Sequence, residues 1–364
     1  MHIGIDGKYL PGGQGITAVE KVELAHKLGM EGIFFRTILD ISAGLDRSEI
    51  EAVRQRANDL GLYLEAGLGR VNPYTNPETP ELRAIGDGDV LLGFRRMMEA
   101  AAEANIRELW ISTGGGKPYK GKFGTDRFRT DVSWDEQLSA TLRLLLKLKP
   151  VAGDLGLHLN METHEEITSH EILRLIEAVG SEVMGVVLDT ANVTIRGEHP
   201  VFAAKRLAPY VRQTHIKDAY LELTDDGVYQ RAIPCGGMGV VDFREILVEL
   251  NRYNPDLTLS FEAQSPRNGK APRTPMLIEV FDPEWIRAHP DLSTEEFAAY
   301  ISLARAYADR ISKGQRKSWE ALNAERFEEE EARQAILSSR DYLDNLCREL
   351  GIKRNGSFRE DTHA

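Results

Sequence analysis

The sequence predicts an α/β fold, a (β/α)8 barrel (TIM barrel) followed by a C-terminal helical extension. Three observations predict it. Apolar stretches of strand length alternate with helical stretches at the pace of βα units. Eight such units follow one another along the chain. The last four strands stop on a carboxylate or an imidazole, and strand ends of a barrel converge on one axis. No Gly-x-Gly-x-x-Gly follows the first strand, which argues against an open dinucleotide-binding sheet.

In chain order, the first strand is His2 to Asp6, followed by the turn Pro11-Gly12-Gly13 and a helix from Thr17 to Leu28 that Gly29 ends. The second strand is Gly32 to Arg36, and its helix runs from Arg47 to Leu60 before Gly61. The third, Leu62 to Ala66, opens into a long loop through Asn72-Pro73-Tyr74 and Gly86-Asp87-Gly88, then a helix from Val90 to Ala104. The fourth is Glu108 to Ser112. A Gly- and Lys-rich loop, Thr113 to Val132, separates it from a helix reaching Gly153. That helix starts at Ser133, three residues before Glu136 as a capping box requires.

The fifth strand has two different faces. Leu157, Leu159 and Met161 alternate with His158, Asn160 and Glu162, and His164 lies two residues beyond the strand end. After a helix from Ser169 to Val179 and Gly180, Val186-Val187-Leu188 runs into Asp189. A helix from Pro200 to Leu207 leads to Val211-Arg212-Gln213-Thr214, which runs into His215. The loop holding Pro234-Cys235-Gly236-Gly237-Met238-Gly239 and a helix from Phe243 to Tyr253 lead to Leu257-Thr258-Leu259-Ser260-Phe261, which runs into Glu262. A loop from Ala263 to Pro290 delays the eighth helix, expected over Thr294 to Ile311. The barrel domain is thus expected at residues 1–312 and a charged, helical extension at 313–364. Within the extension Ile336, Leu337, Leu343, Leu346 and Leu350 recur at near-helical spacing. Such a face either packs on its own barrel or docks another subunit. Residues after Gly351 are expected to fray.

Composition narrows the function classes. With 42% apolar and 28% charged residues in 364, the chain reads as a soluble globular protein. Its 45 Lys and Arg against 57 Asp and Glu give a net charge of -12, which repels nucleic acid. Cys235 and Cys347 lie far apart with no finger spacing, so no disulfide framework is expected. With a strand at the N-terminus and no run of 18 apolar residues, the expectation is a cytoplasmic protein without a membrane partner.

Glu162, Asp189, His215 and Glu262 supply three oxygen ligands and one nitrogen at one end of a parallel sheet. This donor set suits a divalent ion, Mn²⁺ first and Mg²⁺, Co²⁺ or Zn²⁺ after it. Three carboxylates that close do not all ionise without a cation. Other features carry less. Thr113-Gly114-Gly115-Gly116-Lys117 suggests a phosphate cradle, but Pro118 stands where a Walker loop needs Ser or Thr, so a lid is expected. His158 and Asn160 share the inward parity of Glu162 and either fill barrel layers or support the ligands from behind. Trp110 is core or a sugar platform, and Lys8 and Arg36, near strand ends, are candidates to touch a substrate.

Met161-Glu162-Thr163-His164, Leu188-Asp189-Thr190-Ala191-Asn192, His215-Ile216-Lys217-Asp218, Gly236-Gly237-Met238-Gly239-Val240-Val241-Asp242-Phe243 and Phe261-Glu262 together resemble the xylose-isomerase-like sugar phosphate isomerase/epimerase superfamily. The resemblance covers roughly residues 1 to 310. It implies a divalent metal held by Glu162, Asp189, His215 and Glu262, with His164 and His199 in the pocket. It also implies a small-molecule sugar substrate. The superfamily includes lyases acting on oxidised glucosides, among them the catalytic α subunit of bacterial C-deglycosylation enzymes (C-glycoside deglycosidases), which works with a smaller β subunit.

The long loops after strands three, four and eight, and His164 beside Glu162, lean the reading toward such a lyase. A metal-dependent carbon–oxygen or carbon–carbon lyase would take the proton next to the carbonyl of a 3-oxo-glucoside and expel the aglycone by β-elimination. His164 is the candidate base, with Glu162 or Glu262 in reserve. Lys217 or Arg267 would steady a departing phenolate, or be a solvated loop charge. The alternative is a sugar or keto-sugar isomerase/epimerase using the same enediolate chemistry. The lyase reading expects a partner subunit, and the epimerase reading a homo-oligomer.

Overall fold

Eight parallel strands close into a barrel. They are β1 (His2–Asp6), β2 (Gly32–Phe34), β3 (Tyr63–Arg70), β4 (Glu108–Ser112), β5 (His158–Glu162), β6 (Met184–Asp189), β7 (Val211–Ile216) and, after the hairpin β8 (Asp218–Thr224) and β9 (Gly227–Ile233), β10 (Thr258–Phe261). A last short strand, β11 (Met276–Ile278), pairs with β9. The structure is a computed structural model that describes residues 1–262, 276–324 and 328–355. The ring closes between β1 and β10, with His2 opposite Thr258 and Ile5 opposite Phe261.

The helices are α1 (Ala18–Lys27), α2 (Arg47–Asp59), α3 (Pro80–Ile85), α4 (Val90–Glu103), α5 (Trp134–Asp154), α6 (Ser169–Val179), α7 (Pro200–Leu207), α8 (Phe243–Tyr253), α9 (Pro283–Arg287), α10 (Thr294–Ser312), α11 (Trp319–Ala324) and α12 (Glu329–Leu350). Local chemistry sets several of their starts. Thr17 with Glu20, Ser133 with Glu136 and Thr168 with Glu171 form capping boxes, each pair satisfying two backbone N–H groups that the helix leaves open. Among the described residues no helix is long and apolar enough to cross a membrane.

Three stretches differ from expectation. β3 runs on to Arg70 instead of stopping at Ala66, through a register shift between Gly67 and Gly69. A Cβ at Gly67 would lie 2.4 Å from the Arg36 carbonyl oxygen and 2.6 Å from that of Trp110, so the irregularity depends on glycine. The chain after His215, expected as loop, holds the β8–β9 hairpin. Thr224 pairs with Gly227 around the two-residue turn Asp225-Asp226.

The third difference concerns the helix that closes the barrel. α10 exists where the eighth helix was expected, but it packs on β8 of the hairpin. α12 lies against α8 instead, with the Tyr342 ring edge-on to Phe243 at 6.1 Å. On its other side Arg340 donates to the Leu28 carbonyl at the end of α1 (2.9 Å). Ile336, Leu343, Leu346 and Cys347 are buried in the main apolar core with the barrel strands. Of the apolar residues spaced along the C-terminal extension, Ile336, Leu343, Leu346 and Leu350 thus pack on the chain's own barrel.

Candidate metal centre

The four strand-end residues meet. Glu162 ends β5 and Asp189 ends β6; His215 is the penultimate residue of β7, and Glu262 follows β10 directly. Pairing brings them level, with Asp189 opposite His215 and His215 opposite Ser260, two residues before Glu262. All four are buried, and one ligand atom from each lies within 4.8 Å of the other three. Donors around an ion bound at about 2.0–2.6 Å stand this far apart.

The ring is held by direct contacts. His215 turns Nδ1 to the carboxylates, 2.8 Å from Glu162 Oε1 and 3.7 Å from Glu262 Oε2. Trp110 Nε1 donates to Glu162 Oε2 at 3.0 Å. Arg36 donates through Nε to Asp6 at 2.8 Å and sets its other arm 3.2 Å from Glu262. Its guanidinium lies between the Tyr9 and Trp110 rings, 5.3 and 5.6 Å from their centroids. Asp189 Oδ1 accepts from the backbone N–H groups of Ala191 and Asn192, at 3.0 and 2.9 Å. Lys217 Nζ stands 2.8 Å from both Asp189 Oδ2 and Glu262 Oε2.

Electrostatics shows what this arrangement wants. Burial pushes the Asp189 carboxyl up to about 7, with Glu262 and Glu162 adding to the rise and Lys217 opposing it. Burial would also raise Glu162, but His215, His164 and Arg36 outweigh it and hold that carboxyl well below its usual range. Asp189 Oδ2 is buried, ion-paired with Lys217 Nζ at 2.8 Å, and accepts no hydrogen bond. A buried carboxylate oxygen that accepts no hydrogen bond can take a further cation beside its ion pair. Three carboxylates and an imidazole, each offering an atom within 4.8 Å of the others, fit a divalent ion.

His164 stands beside the ring rather than in it. Its Nδ1 lies 2.7 Å from Glu166 Oε2 and its Nε2 4.0 Å from Glu162 Oε2. The other Glu166 oxygen accepts from Thr113 Oγ1 at 2.5 Å. Burial would lower the His164 imidazole, but Glu166 and Glu162 outweigh it and raise it to about 9.

Other expected site residues fall elsewhere. His199 is not brought to the ring. It caps α7, its Nδ1 accepting from Val201 N at 3.3 Å, and its ring lies 4.9 Å from that of Phe202. Lys217, expected to steady a departing phenolate or to stand as a solvated loop charge, is buried beside the ring, its Nζ 2.8 Å from Asp189 Oδ2 and from Glu262 Oε2. Arg267 lies outside the described residues. Trp110 is buried as expected of a core residue, yet its indole N–H serves a ligand. Glu166 was missed; its one signal was the Glu165-Glu166 pair directly after His164.

Comparison with known proteins places this geometry. The chain is 35% identical over 182 residues to Escherichia coli K12 "Uncharacterized protein YihM", covering 48% of this chain and 53% of that one. It is 29% identical over 189 residues to the 3-oxo-isoapionate decarboxylase of Pectobacterium atrosepticum, covering 51% and 56%. The chain thus spans about half the length of these curated relatives. The solved structure of the E. coli 3-keto-D-glucoside 4-epimerase YcjR shares the fold, at 16% identity and a TM-score of 0.52, over 84% of this chain and 99% of that one. The sequence profile of the xylose isomerase-like TIM barrel family matches residues 22–289, a span that contains all four ring residues. The chain belongs to the xylose isomerase-like TIM barrel family.

Proposed function

We propose that this chain is a divalent-metal-dependent lyase acting on oxidised (3-oxo) glucosides, and that manganese is its metal. The carrying observation is His164, an imidazole set beside a ring of ion ligands, tied by Glu166 and left outside the ring. The ring of Glu162, Asp189, His215 and Glu262 would hold the ion. When bound, the ion supplies Lewis-acid polarisation of the substrate carbonyl.

The remaining steps belong to side chains. His164 Nε2 takes the proton from C2, next to the C3 carbonyl, and the electron pair passes into the enediolate. That pair then forms the C1–C2 double bond as the C1–aglycone bond breaks. The aglycone leaves with its bonding electrons and gains a proton from His164 or from water. Glu166 steadies the charge on the imidazole while it carries the proton. A cation held by Glu162 would offset one of the carboxylates, Glu166, Glu162 and Glu165, that raise His164, and so would favour its basic form. The 3-oxo acid named for the decarboxylase relative supports a carbonyl-activated substrate here.

A second reading is a keto-sugar isomerase/epimerase. It is favoured by Glu162 and Glu262, two carboxylates of one ring that could exchange a proton on opposite faces of a substrate. Incubation with a 3-oxo-glucoside in D₂O separates the two. The lyase releases aglycone and leaves a 2-hydroxy enone sugar. An isomer carrying deuterium on carbon, with no aglycone released, would overturn the lyase reading in favour of the second.

A further inference from the structure

One groove shares no residue with the ring. The loop after β3, helix α3, the start of α4 and one face of α5 enclose about 440 Å³. Its floor is aliphatic. Ala140 and Leu144 of α5 are buried there, and Val90 and Leu91 of α4 are half-buried. Three cations line the same space, Arg83 from α3 and Arg143 and Lys147 from α5.

These cations stand without counter-charges. Arg143 and Lys147 are one turn apart on α5, and like charges at that spacing repel. Among the described residues neither makes a hydrogen bond or an ion pair, and Arg83 reaches no more than the Gly88 carbonyl, at 3.5 Å. The one carboxylate of the lining, Asp89, is already engaged as the cap of α4. It accepts from the backbone N–H groups of Leu91 and Leu92 at 2.8 and 3.4 Å. Asn76 donates to the Arg70 carbonyl at 2.9 Å. In a chain of net charge -12, the groove is a local reversal of sign around an apolar floor.

We propose that this groove binds a phosphate monoester with an aliphatic body. A space of this size holds a small organic molecule. Two guanidinium groups and an ammonium match a head carrying about -1.5 to -2 charges, and a guanidinium fork meets phosphate oxygens two at a time. The lining has no aromatic ring, and its aliphatic floor fits a saturated chain. The site stands apart from the lyase reading, because it uses neither the ring nor His164.

Calorimetry on the full chain tests it. The probe is octyl phosphate below its critical micelle concentration, and inorganic phosphate and 1-octanol represent its two halves. Two variants are compared with the parent, Arg143→Ala/Lys147→Ala and Leu91→Gln, with melting temperatures taken to confirm that both fold. Octyl phosphate should bind the parent more tightly than either half. Its affinity should fall roughly tenfold or more in the double variant, and it should weaken at high salt. Leu91→Gln should weaken octyl phosphate severalfold and leave inorganic phosphate unchanged. Equal affinity in the double variant, or octyl phosphate bound no tighter than inorganic phosphate, would overturn the site. Capture by vesicles of anionic lipid, with no binding of monomeric octyl phosphate, would overturn it in favour of a membrane surface.

Discussion

The barrel interior holds two polar layers, the upper one buried and the lower one partly open at Glu108. The lower layer contains Glu65, Glu108, Asn160 and Gln213. Asn160 donates to Glu108 and to Gln213, both at 2.9 Å, and Arg212 pairs with Glu108 at 3.0 Å. Burial pushes Glu65 up to about 7, and it accepts from Thr258 Oγ1 at 2.6 Å. One carboxyl of this layer thus keeps its proton easily and the other has its own arginine. The upper layer brings Glu162, Asp189 and Glu262 together against Lys217 and Arg36, and Arg36 is shared with Asp6. Protonation and internal pairing complete the lower layer. The upper one gathers three carboxylates and an imidazole within 4.8 Å of one another, a donor set that could hold a divalent ion.

Four changes bear on this contrast, in order of expected size. His164→Ala removes the proposed base without touching a ring ligand. Turnover should fall ~10²–10⁴-fold while metal content stays intact. Turnover at the parent rate would move the base role to Glu162 or Glu262. Leu343→Ala hollows the core face of α12, far from both polar layers in kind. It should cost ~2–5 kcal/mol in denaturant unfolding and leave the metal stoichiometry alone. A cost near zero would mean α12 is not part of the barrel's core.

Trp110→Phe keeps a ring but deletes the N–H that orients Glu162. Metal affinity should drop by about tenfold or more, read by competition with a chromogenic chelator. An unchanged affinity would leave that hydrogen bond a packing detail. The smallest effect belongs to Glu65→Gln. The folded chain holds the Glu65 proton up to about 7 against an ordinary 4.5. Folded protein therefore binds more protons than unfolded between those values, and this group makes stability fall as pH rises through them. Gln cannot titrate, so the stability difference between pH 5 and pH 8 should shift toward higher relative stability at pH 8. Identical pH profiles would contradict the raised carboxyl.

The sequence carried the barrel and the ring further than it carried their surroundings. Period-two alternation and the residue at each strand end are local signals, so Glu162, Asp189, His215 and Glu262 could be read as a set. Lys217, Arg36 and Trp110 could not be assigned, because their partners are more than 25 residues away in sequence and meet only on the barrel axis. His199 follows a different rule. A histidine just before Pro200 offers its ring to the first turn of a helix, and that cap outcompeted the pocket. The β8–β9 hairpin was legible in principle from Asp225-Asp226-Gly227 between alternating strands, but the glycines farther on drew the reading to a loop. The closing helix was misplaced for a physical reason. α10 and α12 are both amphipathic, and only tertiary packing decides which one covers the gap between α8 and α1.

The central claim is that the upper layer, and not the lower, is completed by one divalent ion. Elemental analysis tests it directly on the parent chain, on Glu162→Ala, Asp189→Ala, His215→Ala and Glu262→Ala, and on Glu65→Gln as the lower-layer control. The account predicts about one ion per parent chain, the same in Glu65→Gln, and loss of the ion in each ring variant. Full metal retention in two or more of the four ring variants would contradict it.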